Sequence, residues 1–279
     1  MQDKIVMVTG ANSGMGLATT IELARRGAYV IMVCRSAERG EAARTTAMKE
    51  SGSQNIELMI ADLGDLDSIR RFAVEYKSRY QVLDVLINNA GVVSLKRQLT
   101  SNGFEMNIGI NHLGHFLLTN LLLDRLMVAD QGRIVNVSSG AYKVGKIHVE
   151  DPSLKKGYNV AKGYAQSKLA NILFTKQLAV RLKGTRVTVN CLHPGAVLTN
   201  LGVDRKTGFG KRVYLLLRPF FQSAEQGSQS AIYLATAPEI SEVSGEYFYR
   251  QQIQKLSPRA NNMNDAQWLW QWSEEQVGL

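Results

Sequence analysis

The feature that most constrains this chain is the regular alternation of two hydrophobic periods. Short runs rich in Val and Ile occupy residues 5–8, 29–34, 56–61, 82–88, 133–138 and 186–193, and continuous runs of that kind read as strands buried on both faces. Between them, residues 14–26, 37–51, 65–80, 104–128 and 157–182 carry apolar side chains at helical spacing. Strands that take turns with crossover helices form parallel sheets covered on both sides. The expectation is therefore an α/β, doubly wound parallel sheet of about seven strands. No repeat, low-complexity tract or Pro/Gly-rich linker interrupts the 279 residues, so residues 1–279 are expected to form a single domain. Two stretches stand apart from the alternation. Residues 201–222 hold Gly202, Gly208, Gly210 and the apolar patch 213–217, and read as a mobile insertion covering a substrate; residues 251–279 form a Trp-bearing tail.

Composition narrows the class. With 45% apolar and 20% charged residues the chain has the balance of a globular protein with a sizeable core. A net charge of +9 admits nucleic acid, an anionic membrane surface or a phosphorylated small molecule as partner. Lys and Arg are scattered, which favours a solvated basic surface, with an anionic cofactor accounting for part of the excess. Cys34 and Cys191, the only cysteines, sit inside strand-like runs and read as small buried hydrophobes suited to a reducing cytoplasm. Met1 to Lys4 lead straight into the first strand, and the most apolar stretches, near Leu121 and Leu215, are broken by Asp124, Arg125 and Arg218. The expectation is a cytoplasmic protein without a membrane span.

In doubly wound sheets ligands bind beyond the carboxyl ends of the strands. After the first strand stands Thr9-Gly10-Ala11-Asn12-Ser13-Gly14-Met15-Gly16, a glycine turn opening a helix. Glycines permit positive φ and close approach, and the free amides of a helix start can hold a pyrophosphate; alone, the cluster would be an ordinary tight turn. Its spacing is G-x-x-x-G-x-G, not the commoner G-x-G-x-x-G. Many dinucleotide folds place an acidic residue after the second strand to bind the ribose 2′-hydroxyl. Here Arg35 takes that place, with Ser36 and Arg39 beside it. Guanidinium groups suit a 2′-phosphate, which favours NADP(H) over NAD(H); the competing reading of Arg35 is a solvated loop cation. Asp62-Leu63 follows the third strand, where Asp62 can accept from an adenine amino group or cap the next helix. Asn88-Asn89-Ala90-Gly91 follows the fourth, small enough for a flat ring and a ribose to approach the backbone.

Tyr164 and Lys168 lie four apart in a helical segment and so share a face. Ser138-Ser139 ends the fifth strand at the same sheet edge as the glycine loop, and a hydroxyl there can hold a substrate oxygen. Asn111 interrupts the apolar face of the long helical segment, and a buried amide needs partners.

Taken together, Thr9–Gly16, Asn88–Gly91, Asn111, Ser139 and Tyr164-x-x-x-Lys168 resemble the short-chain dehydrogenase/reductase family in order and strand position, over nearly the whole chain. The resemblance implies a Rossmann-type fold and a hydride transfer between a nicotinamide and a carbonyl or alcohol carbon. It implies that Tyr164 moves the proton, that Lys168 supplies positive charge and binds the nicotinamide ribose, that Ser139 steadies the substrate oxygen, and that Asn111 holds a relay water. A free phenol is a poor base near neutrality, and adjacent positive charge favours the phenolate. Of the two serines the second matches the family's position, although spacing alone does not separate it from Ser138. Pro194-Gly195-Ala196-Val197-Leu198-Thr199 resembles the carboxamide contact, with the Val197 backbone and the Thr199 hydroxyl as donors; His193 before it reads as structural. A homodimer or homotetramer is also implied.

Several phrases are similar to the retinol dehydrogenase branch, among them Val33-Cys34-Arg35, Asn136-Val137-Ser138-Ser139 and His193-Pro194-Gly195, together with the tail's Ser257-Pro258-Arg259-Ala260 and residues 268–272. Membrane-bound members of that branch begin with a hydrophobic anchor, so the expectation here is a soluble relative acting on a lipophilic aldehyde, ketone or alcohol, with residues 201–221 over the pocket. The rival readings are a non-catalytic NADP(H)-binding regulatory protein on the same fold, against which the intact Asn111, Ser139, Tyr164 and Lys168 set argues, and a nucleic-acid-binding protein, suggested by charge alone. No metal site is expected, because His112, His115, His148 and His193 form no ligand cluster.

Overall fold

The computed structural model describes residues 1–195 and 222–279. Its strands are β1 (Ile5–Thr9), β2 (Tyr29–Cys34), β3 (Ile56–Ile60), β4 (Val85–Asn88), β5 (Gly132–Val137), β6 (Val187–His193), β7 (Tyr247–Tyr249) and β8 (Gln252–Ile253). They form one eight-stranded sheet in the order β3-β2-β1-β4-β5-β6-β7-β8. All neighbours are parallel except the last pair, β7 and β8. Winding reverses between β1 and β4, so the carboxyl ends of those two strands frame a crevice.

The helices lie on both faces because side chains alternate along each strand. Val6, Val8, Val30, Met32 and Val135 enter one core, with α1 (Gly14–Arg25), α2 (Ala37–Ser51) and α7 (Ala224–Thr236) against it. Met7, Ile31, Val33 and Ile134 enter the other, facing α3 (Leu66–Arg79), α5 (His115–Val128) and α6 (Val160–Arg181). α3 shows the logic in miniature. Asp65 caps it by accepting from Asp67 N and Ser68 N, and Ile69, Phe72, Ala73 and Tyr76 present one buried stripe. Each large apolar side chain so buried contributes about 1.5–3 kcal/mol relative to exposure.

The observed elements depart from the expected ones in places. The sheet has eight strands, not about seven, because a short hairpin, β7–β8, closes one edge. The strand expected over 82–88 begins at Val85; just before it, the Asp84 side chain accepts from Ile5 N (2.8 Å) and Lys4 Nζ (3.0 Å). The helix expected over 104–128 is three pieces: a single turn, α4 (Met106–Ile108), a π-helical turn Gly109–Gly114, and α5. In the tail, α8 (Met263–Val277) packs back on α6. Trp270 is buried, its ring centroid 4.9 Å from that of Phe116, with the Arg181 guanidinium 4.2 Å over it. Among the described residues no helix is long and apolar enough to cross a membrane. The expected insertion over 201–222 lies, but for Gln222, outside the described residues, as do Val197 and Thr199.

Candidate active site

Between β1 and α1 the chain turns through Gly10 (φ +65°) and Gly14 (φ +54°), a left-handed region that side chains disfavour. Gly16 is glycine for space: a Cβ there would stand 2.4 Å from Gly10 O and 2.6 Å from Asn89 Nδ2. A Cβ on Gly10 would meet Ala90 Cα at 2.9 Å. The glycine loop therefore rests on the turn after β4. Asn89 Nδ2 donates to Thr9 O (2.7 Å), and Asn89 N and Ala90 N both donate to Thr9 Oγ1 (2.9 Å each).

The start of α1 differs from those of α2, α3, α6, α7 and α8. Ser36, Asp65, Asn159, Ser223 and Asn262 accept amide hydrogens at the starts of α2, α3, α6, α7 and α8. Ser13 begins α1 in an extended conformation with no side-chain cap and no acidic residue in the first turn. The first-turn amides, beside half-buried Asn12 and Ser13 and buried Met15, are left for an external anion. A dinucleotide pyrophosphate fits that cradle.

At the end of β2, Arg35 and Arg39 are exposed and flank the start of α2, and neither has an acidic partner within 4.0 Å among the described residues. Ser36 Oγ is taken as the cap of α2, accepting from Arg39 N. Asp62 does not cap α3, as one reading of the sequence allows; Asp65 does. Asp62 instead accepts from Gly64 N (2.8 Å) and turns the chain after β3. Leu63 is buried where the π turn approaches it: a Cβ on Gly114 would lie 2.4 Å from Leu63 O.

Asn111 sits in the π turn, fully buried. Its Oδ1 accepts from Val92 N (2.8 Å), and its Nδ2 donates to Val92 O and Ser167 Oγ (3.0 Å each). The amide thus ties the chain after β4 to the Tyr164 helix. A Cβ on Gly91 would stand 3.6 Å from both Asn111 Oδ1 and Lys168 Nζ, which places both atoms around that glycine.

α6 is capped by Asn159, which accepts from Lys162 N (2.8 Å), and it carries Tyr164 half-buried and Lys168 only 4% exposed. Lys168 Nζ stands 5.6 Å from the Tyr164 ring centre and donates to Val137 O (3.2 Å). Among the described residues it has no acidic partner. The two serines are separated by the strand's alternation. Ser138 is buried and donates to Lys168 O (2.7 Å), whereas Ser139 is half-buried and, among the described residues, its hydroxyl only accepts a long bond from Ala141 N (3.2 Å). His193 Nδ1 accepts from Gly140 N (3.2 Å) and Gly195 N (3.3 Å), clipping the ends of β5 and β6 together beside Pro194, and its ring stacks on Tyr249. Burial, then the nearby Lys143 charge, hold this imidazole below its ordinary value.

The sequence reading overlooked a buried polar row beneath the site. Asn88 Nδ2 donates to Thr119 Oγ1 (2.9 Å) and Asn136 Oδ1 (2.8 Å), and Asn136 Nδ2 donates to Thr175 Oγ1 (2.9 Å). Its only signal was polar residues at inward strand positions. His112 and His115 are buried, not on the surface, their pKa values pushed down to about 3 and about 4 chiefly by burial. Burial likewise raises the thiols of Cys34 and Cys191 to about 11 and about 12. Among the described residues no group of three or more His, Cys, Asp or Glu could hold a metal.

The chain is similar to known proteins in sequence and fold. The family described as short chain dehydrogenase matches residues 4–208. Retinol dehydrogenase 14 of Homo sapiens is 45% identical, the match covering 100% of this chain and 88% of that protein. Retinol dehydrogenase 13 of Homo sapiens is 44% identical over 99% and 85%. Among solved structures, an uncharacterized Mycobacterium Paratuberculosis protein superposes with a TM-score of 0.80 at 38% identity, covering 99% of this chain and 94% of that one. An Escherichia coli CFT073 short chain dehydrogenase complexed with NADPH shares the fold with a TM-score of 0.70 at 23% identity over 89% and 96%. The chain belongs to the short chain dehydrogenase family, on the branch that holds the retinol dehydrogenases, and is an oxidoreductase acting on the CH–OH/C=O pair.

Proposed function

We propose that the chain is NADP(H)-dependent, that its substrate is a lipophilic aldehyde, ketone or alcohol, and that Tyr164 is its acid/base. The observation that carries this reading is a buried ammonium, Lys168, without an acidic partner among the described residues, one helical turn from a phenol at the carboxyl edge of the sheet. When bound, the nicotinamide supplies or accepts the hydride. The chain supplies position, charge and a proton. Tyr164 gives its hydroxyl proton to the substrate oxygen, or takes it back, and Lys168 stabilises the phenolate left behind. Ser139, whose hydroxyl hydrogen is not engaged among the described residues, donates to the same substrate oxygen. Asn111 holds the water through which the proton at Lys168 is replenished, and Lys168 also binds the ribose.

Ser139→Ala should lower kcat by about 10²-fold with little change in Tm, while Ser138→Ala should lower Tm through its lost bond to Lys168 O. Steady-state kinetics and thermal melts on the two variants check this, and the reverse pattern would reassign the serines.

The preference for the phosphorylated dinucleotide rests on Arg35, with Arg39 one turn away. Both are free of carboxylates within 4.0 Å among the described residues, at the strand end where a 2′-phosphate would lie. The fold-sharing NADPH complex supports it. Arg35→Asp should raise the NADPH Kd by about 10–100-fold and leave the NADH Kd near the wild-type value, since a charge-assisted contact is exchanged for repulsion. Fluorescence titration with both cofactors reads it directly, and an unchanged ratio defeats the assignment. The substrate class rests on the retinol dehydrogenase relatives. Cofactor oxidation with retinal, a long-chain aldehyde and a short one should rank the lipophilic compounds first.

A further inference from the structure

His115 opens α5 almost fully buried, and the proposed chemistry gives it no task. Its ring nonetheless spans the two halves of the site. Nδ1 lies 3.1 Å from the main-chain oxygen of Asn111, and Nε2 lies 2.9 Å from Thr9 Oγ1. A carbonyl only accepts, so Nδ1 carries the hydrogen, and Nε2 of the neutral ring accepts from the Thr9 hydroxyl. Thr9 Oγ1 accepts in turn from Asn89 N and Ala90 N, and the other acceptor near its hydrogen, Ile87 O, is farther at 3.4 Å. Each bond in the row then has one direction, from the amides after β4, through Thr9 and the imidazole, to Asn111 O.

The π turn makes room for this. The His115 amide donates to His112 O and not to Asn111 O, and the imidazole N–H serves the carbonyl in its place. A protonated ring would bring a second N–H against a hydroxyl oxygen already accepting twice. Burial prevents that, holding the imidazole at about 4; the bond to Asn111 O opposes the shift and the Lys168 charge adds to it.

We propose that His115 is a positioning residue that couples the cofactor-bearing turn of Thr9, Asn89 and Ala90 to the carbonyl of Asn111. It touches no reacting atom. The inference rests on the proposed roles of Asn111 and Lys168 in handling the proton, and the two ring nitrogens have separable effects. The Nε2 end sets cofactor affinity, and the Nδ1 end sets the proton path and hence turnover.

Three substitutions divide the ring's work. His115→Asn keeps an N–H near the Nδ1 position and leaves Thr9 without its acceptor. His115→Gln keeps an acceptor near the Nε2 position and loses the donor to Asn111. His115→Phe keeps the ring's packing and loses both. His115→Asn should raise the NADPH Kd about tenfold with kcat near wild type, and His115→Gln should lower kcat about tenfold with Kd near wild type, each being the loss of one buried hydrogen bond. His115→Phe should show both losses. Fluorescence titration, steady-state kinetics and melting curves on all three supply the readouts. Identical Kd and kcat patterns for the Asn and Gln variants, or a fall in Tm alone, would overturn the coupling. A wild-type chain that binds no NADPH would instead sink the functional reading on which it rests.

Discussion

Tyr164→Phe should lower kcat by about 10³-fold while NADPH binding and melting temperature stay near wild type. The size follows from what a positioned acid/base contributes, about 10²- to 10⁴-fold. The selectivity follows from the surroundings of the phenol. The ring is half-buried beside Lys168, and the phenol oxygen makes no hydrogen bond within the described residues, so removing it strands no partner. A change of that kind stays within about 0.5 kcal/mol of wild-type stability. The contact is made to the reacting oxygen, so kcat and kcat/KM should fall together, as expected for an interaction formed in the transition state. Steady-state reduction of a lipophilic aldehyde, with NADPH fluorescence titration on the same preparation, gives both numbers. A kcat within about threefold of wild type would remove Tyr164 from the chemistry and leave the ammonium beside it unexplained.

The sequence carried the sheet and its order of use more clearly than the local detail of the site. β2 and α2 fall on the expected residues because the punctuation there is chemical: Ser36 caps the helix start and Gly52, at φ +73°, ends it. The long segment 104–128 kept its apolar period and hid a π turn. That turn is set by contacts made only in three dimensions, Asn111 on Val92 and Ser167 and Gly114 against Leu63. β7 and β8 span three and two residues, too few for any periodicity to register. Among the site residues, Tyr164 and Lys168 were legible from spacing together with the motifs around them. Spacing alone did not show which of the two serines is buried, since that depends on how β5 pairs with β6 and where the helix backbone of Lys168 comes to lie. Nor did it show the Asn88–Asn136 row, whose members become neighbours only through the β4–β5 register. His115 reads in the sequence as an ordinary helical residue because nothing in a His at that spacing reveals Thr9, more than a hundred residues earlier.

Lys168→Met should abolish nearly all activity and make the protein more stable. Lys168 is 4% exposed and, among the described residues, has no carboxylate partner and gives one hydrogen bond from its ammonium, to Val137 O. A charge taken out of water at such a place is costly to the fold unless it is paired. Methionine fills a similar volume with no charge to bury. Val137 O is not stranded by the exchange, because Asn171 Nδ2 also donates to it (3.1 Å). A net gain of about 1 kcal/mol would lift Tm by about 2–4 °C in a protein of this size. Turnover should move the other way by about 10³-fold, because the phenolate of Tyr164 loses the charge that stabilises it and the proton path from Asn111 loses its end. The NADPH Kd should rise about tenfold with the lost ribose contact. These opposed signs separate a functional lysine from a structural one: a residue kept for packing loses stability and activity together when replaced. Melting curves and single-turnover kinetics on the same preparations decide between the two, and a Lys168→Met variant that melts lower while turning over normally would show that the ammonium serves the fold and not the reaction.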